Sequence, residues 1–301
     1  MPNTLAHIGI QTPLTGLLTK EVPLQWIVMG CIIPDIPWIV QRIFHTIAEV
    51  DPVALHLYAT TQASLAYCLI LSLAVAMLSR DSKKIFLVLA MNSLFHLLLD
   101  ATQIKWGNGV NLLVPFSWET LHFNLFWPEH FSSYLLTGLG LLILLLQWRK
   151  AIHCDLHLQR PNPAKTLCLS TCLLLYFFSP PLLIDRAYEA DTHYSKTLSS
   201  AKTRTGKTVA LDRATYSAGD HTLRSYSDQR FKVANPPPLN SSIVSIRGHF
   251  LDGETLELSE YHFHRPYRDP ASYAGLLLAL LFWMHSLVQH PPFKTSSRSS
   301  Q

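Results

Sequence analysis

Ser93-Leu94-Phe95-His96-Leu97-Leu98-Leu99-Asp100 places an imidazole and a carboxylate four residues apart in an otherwise apolar run. On a helix that spacing sets both side chains on one face, about one turn apart. An ionisable group in an apolar segment is costly, so it faces a partner, an ion or a water-filled cavity. Imidazole plus carboxylate is half of a zinc-type donor set. The octapeptide lies within Ile85–Thr102. That is one of six runs with the length and apolarity of a membrane span, with Val22–Ile43, Thr61–Leu78, Tyr134–Trp148, Leu167–Ile184 and Tyr273–Val288. Leu5–Leu18 is a shorter run that suits a further, tilted or partial span, and it has no basic region or cleavage site of a signal peptide.

Composition points the same way. Hydrophobic residues make up 49% of the chain and charged residues 15%, against about 25% charged in soluble domains. The fold expected is mainly α, a multi-pass helical membrane protein of six or seven spans. The five cysteines form no CxxC pair and read as small buried hydrophobes, not as a disulfide or thiolate framework. Basic residues are not interleaved with aromatics in a stripe, so no nucleic-acid partner is expected.

Lys and Arg collect in alternate loops: Lys20, then Arg80, Lys83 and Lys84, then Arg149, Lys150, Arg160 and Lys165, then Lys294 and Arg298. Under the positive-inside rule, seven segments with an outward N-terminus satisfy this pattern, and six spans with an inward N-terminus is the rival. Residues 1–185 then form a helical membrane domain and 271–289 the last span. Residues 290–301 read as a polar, disordered cytoplasmic tail. Between them, 186–270 is polar and lies outside the cytoplasm. Lys207–Leu211, Thr222–Tyr226, Ser242–Phe250 and Thr255–His262 alternate as strands, with a hairpin about Asp252-Gly253. The expectation is a small all-β domain inserted before the last span, a sandwich or partly open barrel.

The same topology brings five polar residues toward one membrane face: His7, Asp35, His56, His96 and Asp100. Asp35 stands between Pro34 and Pro37, which break the helix and free backbone carbonyls. Three imidazoles and two carboxylates are ligands of the kind zinc takes. Each also has a plainer reading. His7 and His56 suit an interface, Asp35 a structural or proton-relay role, and His96–Asp100 an intrahelical pair. Beyond them, Glu119, His122 and His130 suit either a second metal, acid–base groups or an interfacial helix.

Residues 1–120 resemble the YdjM-like family of predicted membrane-bound, metal-dependent hydrolases. The motifs that carry this are Ala6-His7-Ile8-Gly9, Pro34-Asp35-Ile36-Pro37, His96–Asp100 with Thr102, Gly107 and Pro115-Phe116, and the stretch from His56 to Ser64. Two positions depart from the family pattern: Pro37 stands where a second acid is expected, and Gln62 near an expected second histidine. More distantly the chain is similar to zinc-dependent phospholipase C and P1-type nucleases. The resemblance implies a divalent metal, zinc first, held by His7, Asp35, His56, His96 and Asp100, with Asp35 and Asp100 as catalytic groups; Glu119, three residues before His122, is a further catalytic candidate by its spacing. It implies phosphoester hydrolysis at the outer face of a bacterial inner membrane, on a phospholipid or other amphipathic, lipid-linked substrate. Two other classes stay open. One is a non-catalytic membrane protein whose β-domain binds an envelope partner, favoured by Pro37. The other is an ion-coupled transporter, favoured by Asp35 in its broken helix.

Overall fold

Caps and prolines decide where the helices begin. The structure, a computed structural model, describes residues 3–19, 22–154, 156–238 and 240–289. Lys20 and the tail 290–301 lie outside them. Asn3 caps α1 (Thr4–Leu18), its side chain accepting from Ala6 N at 3.0 Å. Next come α2 (Leu24–Ile32), a 3₁₀ turn (Ile33–Asp35) and α3 (Ile36–Ile47). The helix break expected at Pro34 and Pro37 is this turn. Asp51 caps α4 (Pro52–Gln62), with proline at the first helical position where no N–H is needed. There follow α5 (Leu65–Ala76), α6 (Ser82–Ala101), α7 (Phe131–Ile152), α8 (Pro163–Phe178), α9 (Ile184–Glu189) and α10 (Ser195–Ser199). A barrel and α11 (Arg268–Gln289) complete the chain.

Among the described residues, four helical segments are long and apolar enough to cross a membrane: Leu24–Ile47, Ser82–Ala101, Phe131–Arg149 and Arg268–Gln289. Counting the bent pairs, α4 with α5 at 67° and Pro163–Phe178 with Pro180–Glu189 at 42°, there are up to six. The seventh segment expected at Leu5–Leu18 is α1, which is not among these candidates. Its 15 residues reach about 22 Å, short of the roughly 30 Å hydrocarbon core. Instead α1 is buried against α7. A side chain added at Gly140 would overlap the Leu5 carbonyl, and one at Gly9 would come within 2.6 Å of the Leu136 carbonyl. This close small-residue crossing fixes the depth of His7. The outer faces of α3, α7, α8 and α11 expose large apolar residues such as Ile43, Phe44, Leu146, Phe178 and Leu280.

The β-region is a closed barrel of β1 (Thr208–Ser217), β2 (Thr222–Arg224), β3 (Arg230–Val233), β4 (Ser242–Phe250) and β5 (Thr255–Phe263), in the order β1-β2-β3-β5-β4. The expected hairpin about Asp252-Gly253 is present, with Asp252 accepting from Glu254 N and Thr255 N, each at 2.7 Å. The expected sandwich or partly open barrel is corrected to a closed one. Its fifth strand is β3, a short run that pairs parallel to β5 and so removes both sheet edges. Leu223, Phe231, Val244, Ile246, Phe250 and Leu256 fill the interior. Residues 184–199, before the barrel, are mostly short helices.

The barrel docks on the loop that follows α6. Gly107 has φ +71°, and a Cβ there would overlap the Ala210 carbonyl of β1, so both its conformation and the contact require glycine. Beside it, Asn108 Nδ2 donates to Asp212 at 3.4 Å.

Candidate metal centre

His96 and Asp100 occupy the last turns of α6, both buried. His96 Nδ1 lies 2.6 Å from the Cys31 carbonyl, beside the 3₁₀ turn of the broken helix. A carbonyl only accepts, so Nδ1 carries a proton and Nε2 faces inward. That nitrogen is 3.5 Å from Asp35 Oδ1 and 3.9 Å from Asp100 Oδ2. Two carboxylates facing that nitrogen favour positive charge between them, either a proton on Nε2 or a metal ion. His7 comes from α1. Its ring stacks on His96 with centroids 3.7 Å apart and planes 1° from parallel. Its Nε2 is 3.3 Å from Asp100 Oδ1.

His7 Nε2, Asp35 Oδ1, His96 Nε2 and Asp100 Oδ1 are all buried and hydrogen-bonded to nothing. Buried polar atoms are otherwise almost always partnered. Donor atoms of His7, His96 and Asp100 lie within 4.8 Å of one another, and zinc bonds of 2.0–2.2 Å set tetrahedral donors about 3.4 Å apart. The donor set therefore fits a divalent ion with small shifts. His7 Nδ1 meets Gln11 Nε2 at 3.2 Å. An amide serves that nitrogen either way round, and with Nε2 on a metal its oxygen would have to accept. Lys105 Nζ holds Asp100 Oδ2 at 3.3 Å, which leaves Oδ1 to the other donors.

Of the five metal ligands expected from the sequence, His7, Asp35, His96 and Asp100 come together. His56 does not join them. Its Nε2 is 2.9 Å from His193 Nδ1, and its ring stacks on Tyr226 at 4.0 Å. The cause is position, because α4 packs on α9 and its neighbours and so carries His56 to the linker that precedes the barrel. Glu119 is exposed on a loop. His122 meets Thr120 and His130 meets Ser132, so these three assemble no second centre. Of the two departures from the family pattern, Pro37 starts α3, and Gln62 donates to Tyr58 and the Tyr176 carbonyl, away from the donors.

His56, His193, Asp100 and Lys105 line one cavity of about 370 Å³, whose wall also includes Arg42 of α3, Asp212 and Arg213 of the barrel and Arg268 of α11. His193 is held there by three positive-φ residues, Asp191 (49°), His193 (52°) and Tyr194 (60°). Burial pushes its imidazole down to about 4, against the pull of Asp212.

A second cluster joins Glu129, ahead of α7, to the end of β5. His264 Nδ1 donates to Glu129 Oε1 at 2.8 Å and His262 Nε2 to Oε2 at 3.3 Å. His264 Nε2 meets Ser245 Oγ at 2.7 Å, and Trp127 stacks on His262 at 3.6 Å. Burial by itself would raise the Glu129 pKa, but the two histidine hydrogen bonds hold it well below the usual carboxylate range. The donor types suit a metal, yet these atoms already satisfy one another.

Lys105, His193, Glu129 and the Gln11 partner were not singled out from sequence. Only His262-x-His264 left a signal, since alternate residues at a strand end share a face. Compared with protein-family models, curated proteins and solved structures, the chain matches none. The family resemblance therefore rests on the motifs quoted above.

Proposed function

We propose that the chain is a membrane-bound, metal-dependent hydrolase acting on a phosphoester or lipid-linked substrate. The observation that carries this reading is the convergence of four buried donor atoms from α1, the broken α2–α3 segment and α6, which make no hydrogen bond but face one another in His–Asp pairs at 3.3 and 3.5 Å. A bound divalent ion, zinc first, lowers the pKa of a coordinated water to about 7 and polarises a phosphoryl oxygen. His7, His96 and Asp100 would hold it, with Asp35 completing the set or orienting the water. The Cys31 carbonyl fixes the His96 tautomer. Lys105 anchors Asp100 and adds positive charge next to where an anion would sit.

The apolar outer faces of the helices and the cavity at their end favour a substrate drawn from the lipid. The alternating basic loops favour placing the barrel and the centre outside the cytoplasm, in a bacterial inner membrane. Glu119, exposed and not among the facing donors, has no part in this mechanism. A second reading, a non-catalytic charge network, is favoured by the Lys105–Asp100 ion pair, which compensates the carboxylate without any metal.

Metal analysis of the purified full chain separates the two, together with hydrolysis of a chromogenic phosphodiester. Bound zinc that disappears with activity in His96→Ala supports the hydrolase. A chain with no divalent metal, whose behaviour is unchanged by His96→Ala, overturns it.

A further inference from the structure

The barrel does more than cover the cavity. At Arg213 the register of β1 against β4 slips, between Leu211 and Ala214, and the residue takes φ +55°. That left-handed conformation is unfavourable for a residue with a Cβ. A bulge of this kind re-aims a side chain and is found next to functional sites. It is pinned in place: Arg213 N donates to Ser245 Oγ at 3.2 Å, and Ser245 donates to Asp212 at 2.8 Å.

The re-aimed guanidinium lines the cavity that Asp100 and Lys105 also line. Nη2 reaches Asp269 at 3.1 Å, while Nη1 is buried and makes no hydrogen bond. Arg268 Nε, on the same wall, is buried and makes no hydrogen bond, lying 4.0 Å from Asp269 Oδ1. Burial, reinforced by Arg268 and opposed by Asp269, disfavours the charge on Arg213. Arg42, Lys105, Arg213 and Arg268 face Asp100, Asp212 and Asp269 across this space. Asp212 is already occupied by Ser245 and Asn108, and Asp100 belongs to the donor cluster. Four cations against three carboxylates leave this lining one positive charge in excess, and planar guanidinium donors suit phosphate oxygens.

We infer that the barrel supplies the substrate-binding half of the site, with Arg213, set by its β-bulge and flanked by Arg268, binding the phosphate group of the substrate. This rests on reading the cavity as the substrate pocket. Trp38 and Tyr226 add apolar wall for the group the phosphate carries. Arg42 and Arg268 come from α3 and α11, which both expose apolar side chains.

The test is native mass spectrometry of the detergent-solubilised full chain. The probes are dioleoyl phosphatidic acid, dioleoylglycerol with the same chains but no phosphate, and inorganic phosphate. Phosphatidic acid is expected to be preferred over dioleoylglycerol. Arg213→Ala should weaken its binding by about 10- to 100-fold, the range for lost charge-assisted hydrogen bonds. Arg213→Lys should recover part of it. Arg224→Ala, an exposed barrel arginine paired with Asp228, should change nothing. Displacement by inorganic phosphate identifies the phosphate group alone as sufficient, and no displacement assigns recognition to the lipid headgroup with its chains. Equal retention of the two lipids overturns the inference. So does wild-type affinity in a folded Arg213→Ala, or in Arg268→Gln where Arg213→Ala does not fold. The two proposals fail separately. A metal-free chain whose phosphate preference tracks Arg213 refutes only the metal centre, and a metal-loaded chain indifferent to Arg213 refutes only this inference.

Discussion

Two histidine–carboxylate groups stand in this molecule, made of the same donor types and left in opposite states. In the first, His7, Asp35, His96 and Asp100 turn their facing atoms toward one another without a hydrogen bond among them. In the second, Glu129, His262 and His264 close every facing contact, with Ser245 and Trp127 completing the set. Residue type alone would nominate both as metal centres. The difference lies in what each group is owed. A buried polar atom without a hydrogen bond costs about 1–3 kcal/mol, so a divalent ion would stabilise the first group, whereas the second already pins the barrel to the helices.

The largest effect that could break this contrast is on metal content. His96→Ala is expected to lower divalent-metal affinity by about 100-fold or more, and Glu129→Gln to leave it unchanged. Elemental analysis of the purified chain decides between them, and equal loss in both variants would make the second group a metal centre too. Next in size is Gly107→Ala, which forces a Cβ into the Ala210 carbonyl at positive φ. It should cost about 3 kcal/mol or more, read as a fall in thermal midpoint with faster proteolysis at the barrel junction.

Glu129→Gln should cost about 1–3 kcal/mol through its two histidine partners. Its pH dependence has a definite sign. The folded-state pKa lies below the ordinary 4.5, so Glu129 contributes stability above pH 4.5 that is lost as pH falls below it. Thermal unfolding between pH 6 and 3 should decline less steeply in Glu129→Gln than in the wild type. The smallest effect belongs to Glu119. Exposed and apart from both groups, its change to Gln should shift stability by less than about 0.5 kcal/mol and leave hydrolysis intact. A large loss of turnover there would return it to the mechanism.

Much of this was legible along the chain because periodicity and cost are local. The apolar runs became the candidate spans, Pro34 and Pro37 marked the 3₁₀ turn, and Asp252-Gly253 marked the β4–β5 hairpin. The His96–Asp100 spacing placed two donors on one helix face, and His7 and Asp35 were chosen for the expense of burying them. His56 looked equivalent by the same criterion. It differs because the linker before the barrel delivers His193 to it and the β2–β3 turn delivers Tyr226. Closure of the barrel through β3, a run of four residues, was hidden because so short a strand carries almost no alternation of its own.

By itself the sequence determined which segments are apolar enough to be helices at membrane depth, and which residues are too polar to lie there unpaired. Those are properties of neighbours in the chain. The tertiary structure alone decided which of those residues meet. His7 and His96 stack because Gly9 and Gly140 let α1 approach α7, and Arg213 enters the cavity because a bulge turns it there. A donor set is a property of distances between elements far apart in sequence, and only packing sets those distances.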